Sequence, residues 1–345
     1  MKPQKAVFAA AIRFRHKQIS GRRALGKKIL SGIGFFLILL VLIAAASYVV
    51  LPKNNTREAG MLTPQANGFL GEPENTIDVL FLGNSESYCG FIPMEIWKEQ
   101  GITSYVCGSS AQKLYQTEQY LRSAFRDQSP KIVILETLAV FVDYGRTDVL
   151  PDIAGEWVPL LRYHDRWKSL RAEDFYKPVQ YTHVRGDKGF HTFREIEAAD
   201  TTDYMSPTEE VRRVPSKNIR HIQNMQALCQ EHGAQLVLVS VPSTANWNQA
   251  KHNGIAAVAD SLGITYLDLN LMQEEVPIDW NVDTKDKGDH MNITGARKVS
   301  DFMGQWLAET GLFEDKRSQE AYSQWNRFLQ EYLEDKEVEK TDFDK

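Results

Sequence analysis

Five short apolar runs, each separated from the next by a stretch of helical periodicity, constrain this chain more than any other feature. The runs are "IDVLFL" (77–82), "ITSYVC" (102–107), "KIVILET" (131–137), "QLVLVSVP" (235–242) and "ITYLDLN" (264–270). Helical patterns fall between and after them. These are "PMEIWKEQ", closed by Gly101; "AQKLYQTEQYLRSAFRD" (111–127), with Leu114, Leu121 and Phe125 on one face; and "SKNIRHIQNMQALCQEHG", closed by Gly233. Next come "GIAAVADSLG" and "TGARKVSDFMGQWLAETG" (294–311), the latter with Thr294 as its expected N-cap. Short β-branched runs alternating with helices form parallel sheets covered on both faces. The pattern predicts a three-layer α/β/α domain over residues 77–312 with a five-stranded parallel sheet. Such sheets bind ligands outside the carboxyl ends of their strands, which puts Ser85, Gly108 and Pro242 on the working edge.

Roughly a hundred residues separate the third and fourth runs. The part at about 138–215 reads as an insertion folded over the sheet edge, a lid or acceptor-binding surface. Residues 52–76, rich in Pro, Asn, Gly and Thr, read as a stalk. The segment 313–345 begins as a helix with Trp325, Leu329 and Leu333 one turn apart. It ends in a charge run expected to be solvated.

The amino terminus says where the domain sits. Residues 1–28 hold nine Lys and Arg and no acidic residue, and "ILSGIGFFLILLVLIAAASYVVL" (29–51) holds no charge at all. As a helix this run reaches roughly 35 Å, enough for a hydrocarbon core. A basic flank stays in the cytoplasm, so the expectation is a single-pass cell-membrane protein whose catalytic domain is extracytoplasmic. "AAAS" (45–48) offers small residues for cleavage, and a processed signal is the competing reading. A formal net charge of −5 gives no sign of a nucleic-acid partner. Cys89, Cys107 and Cys229 lack metal-ligand spacing. Outside the cytoplasm Cys89 and Cys107 could pair, although packed thiols are the simpler expectation. No G-x-G-x-x-G follows the first strand and no H-E-x-x-H occurs, so neither a nucleotide cofactor nor a metal is expected.

Two places on the working edge carry chemistry. The first run breaks into Gly83-Asn84-Ser85, where a serine hydroxyl can point away from the sheet. A serine needs a base within hydrogen-bond reach, a carboxylate to orient that base, and N–H groups aimed at the developing oxyanion. Seven of the eight histidines lie beyond the apolar run, most of them among charges. His290 differs, because "DTKDKGDHMNITGARKVSDF" returns to the edge of Ser85 just before the last helix. Asp283, Asp286 and Asp289 lie beside it.

A serine early and a histidine late, in these settings, resemble the SGNH/GDSL hydrolase family. "LGNSES" matches the family's first block at Gly83 and Ser85, with Asn84 where Asp is frequent. "CGSSAQ" matches the second block at Gly108, and "DHMNITGARKVS" matches the last at His290, in the form seen in membrane-associated members. The resemblance covers about residues 77–310 and points toward D-alanine transfer and alginate-acetylation proteins. It implies a flavodoxin-like sheet, Ser85 as nucleophile, His290 as base and Asp286 as its orienting carboxylate, with Asp289 as the alternative. Backbone N–H groups of Ser85 and Gly108 would form the oxyanion hole. The third block departs from the pattern: "ILETLAVF" supplies no Asn, which leaves Gln112 to be considered as third donor. The implied activity is a serine esterase or O-acyltransferase on acyl esters of cell-surface glycans or polymers, working with a membrane-bound acyl donor. The alternative is a non-catalytic component of envelope assembly that keeps the fold.

Overall fold

A computed structural model describes the backbone of residues 3–343 and the side chains of residues 26–334. The basic side chains of residues 2–23 and the charge run after residue 334 therefore lie outside the described residues. The chain divides into two compact units. One combines Met1–Leu51 with Leu150–Pro178, and the other combines Pro52–Val149 with Val179–Lys345.

In the larger unit, β1 (Val79–Gly83), β2 (Ser104–Gly108), β3 (Ile132–Glu136), β4 (Gln235–Ser240) and β5 (Thr265–Asp268) form one sheet, every neighbouring pair parallel. The strand order 2-1-3-4-5 is that of flavodoxin-like sheets, with the switch point between β1 and β3. Side chains alternate strictly between two cores, because successive residues of a strand face opposite ways. Val79, Phe81, Ile132, Ile134, Val237 and Val239 face one core. Helices α3 (Pro93–Gln100) and α9 (Ile293–Glu309) cover that face. Leu80, Leu82, Val133, Leu135, Leu236 and Leu238 face the other, beneath α4 (Leu114–Ala124), α7 (Ser216–Glu231) and α8 (Gln249–Leu262). This is the three-layer arrangement predicted from the runs.

Three expectations need correcting. Residues 52–76 are not a stalk. Phe69 is buried against Tyr105, and the buried Asn55 exchanges hydrogen bonds with the backbone of His183 at 2.9 and 3.1 Å. Glu72 meets Lys188 at 2.8 and 2.9 Å, both side chains out of solvent. The polar residues that suggested solvation are instead satisfied by a distant strip of chain. The insertion is not one body, since 150–178 belongs with α1 (Pro3–Val50) in the smaller unit. The last core helix is capped by Asn292 rather than Thr294; the Asn292 side chain accepts from the N–H groups of Thr294 and Gly295. Cys89, Cys107 and Cys229 are all free and buried, the packed thiols expected, and the alternative Cys89–Cys107 pair does not form. The carboxy-terminal segment packs on the domain, with Trp325 buried 5.3 Å from the Trp97 ring.

In the smaller unit, α1 carries over Gly26–Val50 a stretch of mean hydropathy 2.8, long and apolar enough to cross a membrane. Its flanks at Phe35, Phe36, Leu40 and Val41 are exposed, whereas Ser47 and Val50 are buried. What covers them is the segment 150–178, comprising the end of α5 (Arg146–Trp157), the short α6 (Pro159–Tyr163) and two further turns.

Candidate active site

Two glycines allow Ser85 to stand where it does. Gly83 and Gly108 are register partners at the carboxyl ends of β1 and β2. A Cβ on Gly108 would come 2.3 Å from the Ser87 hydroxyl, and one on Gly83 would come 2.8 Å from the Glu136 Cβ. With neither present, helix α2 (Ser85–Gly90) begins hard against the sheet edge. Asn84 caps it: its side chain accepts the Glu86 N–H at 3.1 Å and its carbonyl accepts the Ser87 hydroxyl at 2.7 Å. Ser87 is thereby committed and fully buried, while Ser85 stays partly exposed.

The Ser85 hydroxyl lies 2.7 Å from Nε2 of His290, and Nδ1 of the same ring lies 2.8 Å from Oδ2 of Asp286. Oδ1 of Asp286 accepts the backbone N–H of His290 at 2.7 Å, so the carboxylate holds ring and main chain together. Partial burial pushes the Asp286 carboxyl up, but the hydrogen bonds from His290 outweigh it and hold the group below its ordinary value. Asp289 lies 3.6 Å from Nδ1 and is engaged instead by the Asn246 amide. Asp283 is buried, accepting from Lys298 and the Asp279 N–H, and does not face the ring. Of the three candidate carboxylates, Asp286 alone is in register with both ring and backbone.

The loop bearing His290 is fastened from two sides. Ser243, after β4, donates to the carbonyls of Gly288 and Asp289 at 2.8 and 2.9 Å. The Thr284 hydroxyl accepts the Gly288 N–H at 2.8 Å and donates to the His290 carbonyl at 3.1 Å. On the outer flank, Glu197 N–H reaches the Thr284 carbonyl and Ala199 N–H that of Trp280, so part of the insertion does run beside the site.

The remaining site expectations fare differently. Gly108 sits against Asn84 and Ser87 at the mouth of the turn. Ser85 is the first residue of α2, where a helix leaves its leading N–H groups without intrahelical partners. Gln112 is not an oxyanion donor. Its Nε2 is spent on Thr117 Oγ1 at 3.0 Å and the Cys107 carbonyl at 3.4 Å, and its oxygen accepts from Ser109. A buried amide in a tight turn satisfies its own surroundings first.

Two acidic side chains beside the site escaped the motif reading. Glu86 follows the serine directly and is buried. One of its oxygens accepts from Asn246 at 3.1 Å, and the other has no hydrogen-bond partner. Burial, reinforced by the charge of Glu136, pushes its carboxyl well above the ordinary range. Glu136, at the tip of β3 where the family's third block falls, is pushed up to about 8 by burial, with backbone N–H groups opposing the shift. Glu136 was visible as an acidic residue ending an otherwise apolar strand, and Glu86 as the acidic residue directly after Ser85. Among the described residues, Glu86, Asp289 and His290 bring one ligand atom each within 4.8 Å of one another, a spacing a metal ion could use. Both ring nitrogens of His290 are already engaged by Asp286 and Ser85, so that use would compete with the hydrogen-bond chain.

No family model and no curated protein matches the sequence. Among solved structures, 41 chains match. One is a GDSL-like lipase from Bacteroides thetaiotaomicron, 16% identical over 67% of this chain and 88% of that one, TM-score 0.34. Another is a psychrotrophic esterase from Pseudoalteromonas sp., 9% identical over 67% and 97%, TM-score 0.35. An acetyl xylan esterase is 15% identical over 67% and 99%, TM-score 0.36. Likeness at this level says nothing about activity. The chemistry has to be argued from Ser85, His290 and Asp286 themselves.

Proposed function

We propose that this chain is a membrane-anchored, extracytoplasmic serine esterase or O-acyltransferase that resembles the SGNH hydrolases. The observation that carries the reading is the unbroken chain Ser85–His290–Asp286, with links of 2.7 and 2.8 Å. Ser85 Oγ attacks the carbonyl carbon of an acyl ester while His290 Nε2 takes its proton. The negative charge on the carbonyl oxygen is met by the backbone N–H groups of Ser85 and Gly108. His290 then returns the proton to the departing alkoxide, leaving an acyl-serine and a free alcohol. In the second half, water or a glycan hydroxyl gives its proton to His290 and attacks the acyl-serine, which regenerates Ser85. Water makes the enzyme an esterase; a glycan hydroxyl makes it a transferase, drawing its acyl group from a membrane-bound donor. Asp286 stabilises the imidazolium formed at each attack.

The anchor is supported by the length and exposure of the apolar stretch in α1, and its orientation by the basic residues that precede it. The decisive experiment is labelling with a fluorophosphonate, which phosphonylates only an activated serine. Wild type and Ser87→Ala label, and Ser85→Ala does not. Labelling of Ser85→Ala at the wild-type rate would remove the enzyme reading. One observation favours a non-catalytic role: the proposed third oxyanion donor, Gln112, is consumed by its own turn. Absence of labelling in the wild-type protein would select that role.

A further inference from the structure

The smaller unit contains a surface that the proposed chemistry does not use. Segment 150–178 is clasped to the last turn of α1 by hydrogen bonds. Leu160 N–H meets the Ser47 hydroxyl at 3.2 Å, Arg166 donates to the Val50 carbonyl at 2.7 Å, and the Tyr48 hydroxyl donates to the Lys177 carbonyl at 2.8 Å. Arg166 also pairs with Asp174 at 2.8 Å, both buried, which ties the two turns of the segment together. A guanidinium on the final carbonyl of a helix is favourable in its own right, because those carbonyls lack intrahelical partners. The segment is therefore a fixed collar on the end of α1.

What the collar turns outward is unusual for a water-facing surface. Trp157 is 83% exposed, Trp167 67%, Tyr176 67% and Phe175 60%, with Ile153 and Leu161 also exposed. Exposed apolar area of this kind marks an interaction surface. The place of the collar along α1 says what that surface meets. From Ile29 to Ala46 the helix rises about 27 Å, close to the thickness of a hydrocarbon core. The clasped residues Ser47–Val50 then fall where hydrocarbon gives way to headgroups. Trp and Tyr concentrate at that level, since their rings are apolar and their N–H and O–H groups need water or headgroups.

We propose that residues 150–178 form an interfacial collar whose exposed aromatic side chains insert into the lipid headgroup region around the end of α1. The inference rests on the anchor reading and extends it from a single span to a span with a lateral foot. The collar's five acidic and five basic side chains cancel, so it is apolar area that holds it to the bilayer, and zwitterionic lipid suffices.

The test uses the full chain reconstituted in phosphatidylcholine vesicles, with or without lipid brominated near the headgroup end of its chains. Subtracting the emission of Trp157→Phe/Trp167→Phe from that of wild type isolates two of the seven indoles. Both side chains are exposed, so the substitution leaves the collar folded. Bromolipid is expected to quench this difference emission at least twofold, and 1 M salt to leave the quenching unchanged. An alkaline wash of the same vesicles separates the two claims. If the chain stays in the pellet and the difference emission answers only to aqueous iodide, the collar faces water and this proposal is overturned while the anchor stands. Protection from both quenchers would place the surface against protein, this chain or a second copy of it, and overturn it equally. A chain released by the wash overturns both.

Discussion

Asp286→Asn tests the site more sharply than removal of the serine, because the geometry dictates how the substitution must fail. Asp286 accepts twice from one residue: Oδ1 takes the His290 backbone N–H at 2.7 Å and Oδ2 takes the ring at 2.8 Å. An asparagine has one acceptor and one donor in the same two places. If its oxygen keeps the backbone N–H, its NH2 group faces Nδ1, which must then be unprotonated. The proton moves to Nε2 and points at Ser85, so the base can no longer accept. If the amide flips, two N–H groups face each other at the backbone. The first arrangement avoids that clash and traps the wrong tautomer, for which the expected loss in kcat is on the order of 10⁴. That corresponds to about 5 kcal/mol of transition-state stabilisation. KM should change little, because the lost interaction develops only as the ring becomes charged. The measurement is hydrolysis of an aryl acetate by the two variants Asp286→Asn and Asp289→Asn, with melting temperature as a check on folding. Asp289, 3.6 Å from the ring and held by Asn246, should cost less than tenfold when changed. The opposite ranking would transfer the orienting role to Asp289, and full activity in both variants would refute the triad.

Two other outcomes follow from buried charge. Because burial and Glu136 hold the Glu86 carboxyl above its ordinary value of 4.5, folding keeps a proton there that the unfolded chain releases as pH rises. The stability associated with this group is intact below the unfolded value and is lost on going up toward the folded one. Glu86→Gln should therefore gain melting temperature over wild type at about pH 8 and gain much less near pH 4; a difference independent of pH would contradict the assignment. Lys188→Ala should lower unfolding free energy by about 3–5 kcal/mol in a denaturant titration, because it strands the Glu72 carboxylate out of water. Lys188→Met combined with Glu72→Leu should recover much of that loss, and equal damage in the single and double variants would contradict the account.

The sheet was legible because buried parallel strands have few alternatives to Val, Ile and Leu, and Leu80 and Phe81 declare opposite faces simply by adjacency. Ser85 and His290 were legible only together, through the resemblance of "LGNSES" and "DHMNITGARKVS" to a known family, because a Gly-Asn-Ser turn and a histidine in a polar loop before a helix each have commoner uses alone. Asp286 was legible only as one of two alternatives, since Asp289 stands directly beside His290 and Asp286 four residues before it. Lys287 and Gly288 both take positive φ, 60° and 89°, and fold Asp286 back over the ring. What stayed hidden depended on partners far away in the chain. Asn55 and Glu72 read as solvated until His183 and Lys188 close over them. Arg166 and Trp157 read as part of a lid until Val50 gives that segment its place. The cap on α9 moved from Thr294 to Asn292 because the Asn292 amide also reaches the Val282 carbonyl at 2.7 Å, which local spacing does not reveal.

The proposed nucleophile and its proposed base are 205 residues apart. At typical synthesis rates of about 5–20 residues per second, Ser85 emerges on the order of ten to forty seconds before His290 exists. Through that interval Ser85 has an ordinary hydroxyl, no more reactive than any surface serine. The base arrives on the loop leading into α9, which also completes the cover over one face of the sheet. On the proposed chemistry, reactivity is thereby tied to completion of the core: a chain that stops short of α9 would be inert toward esters, and only one that has closed its last layer could be acylated.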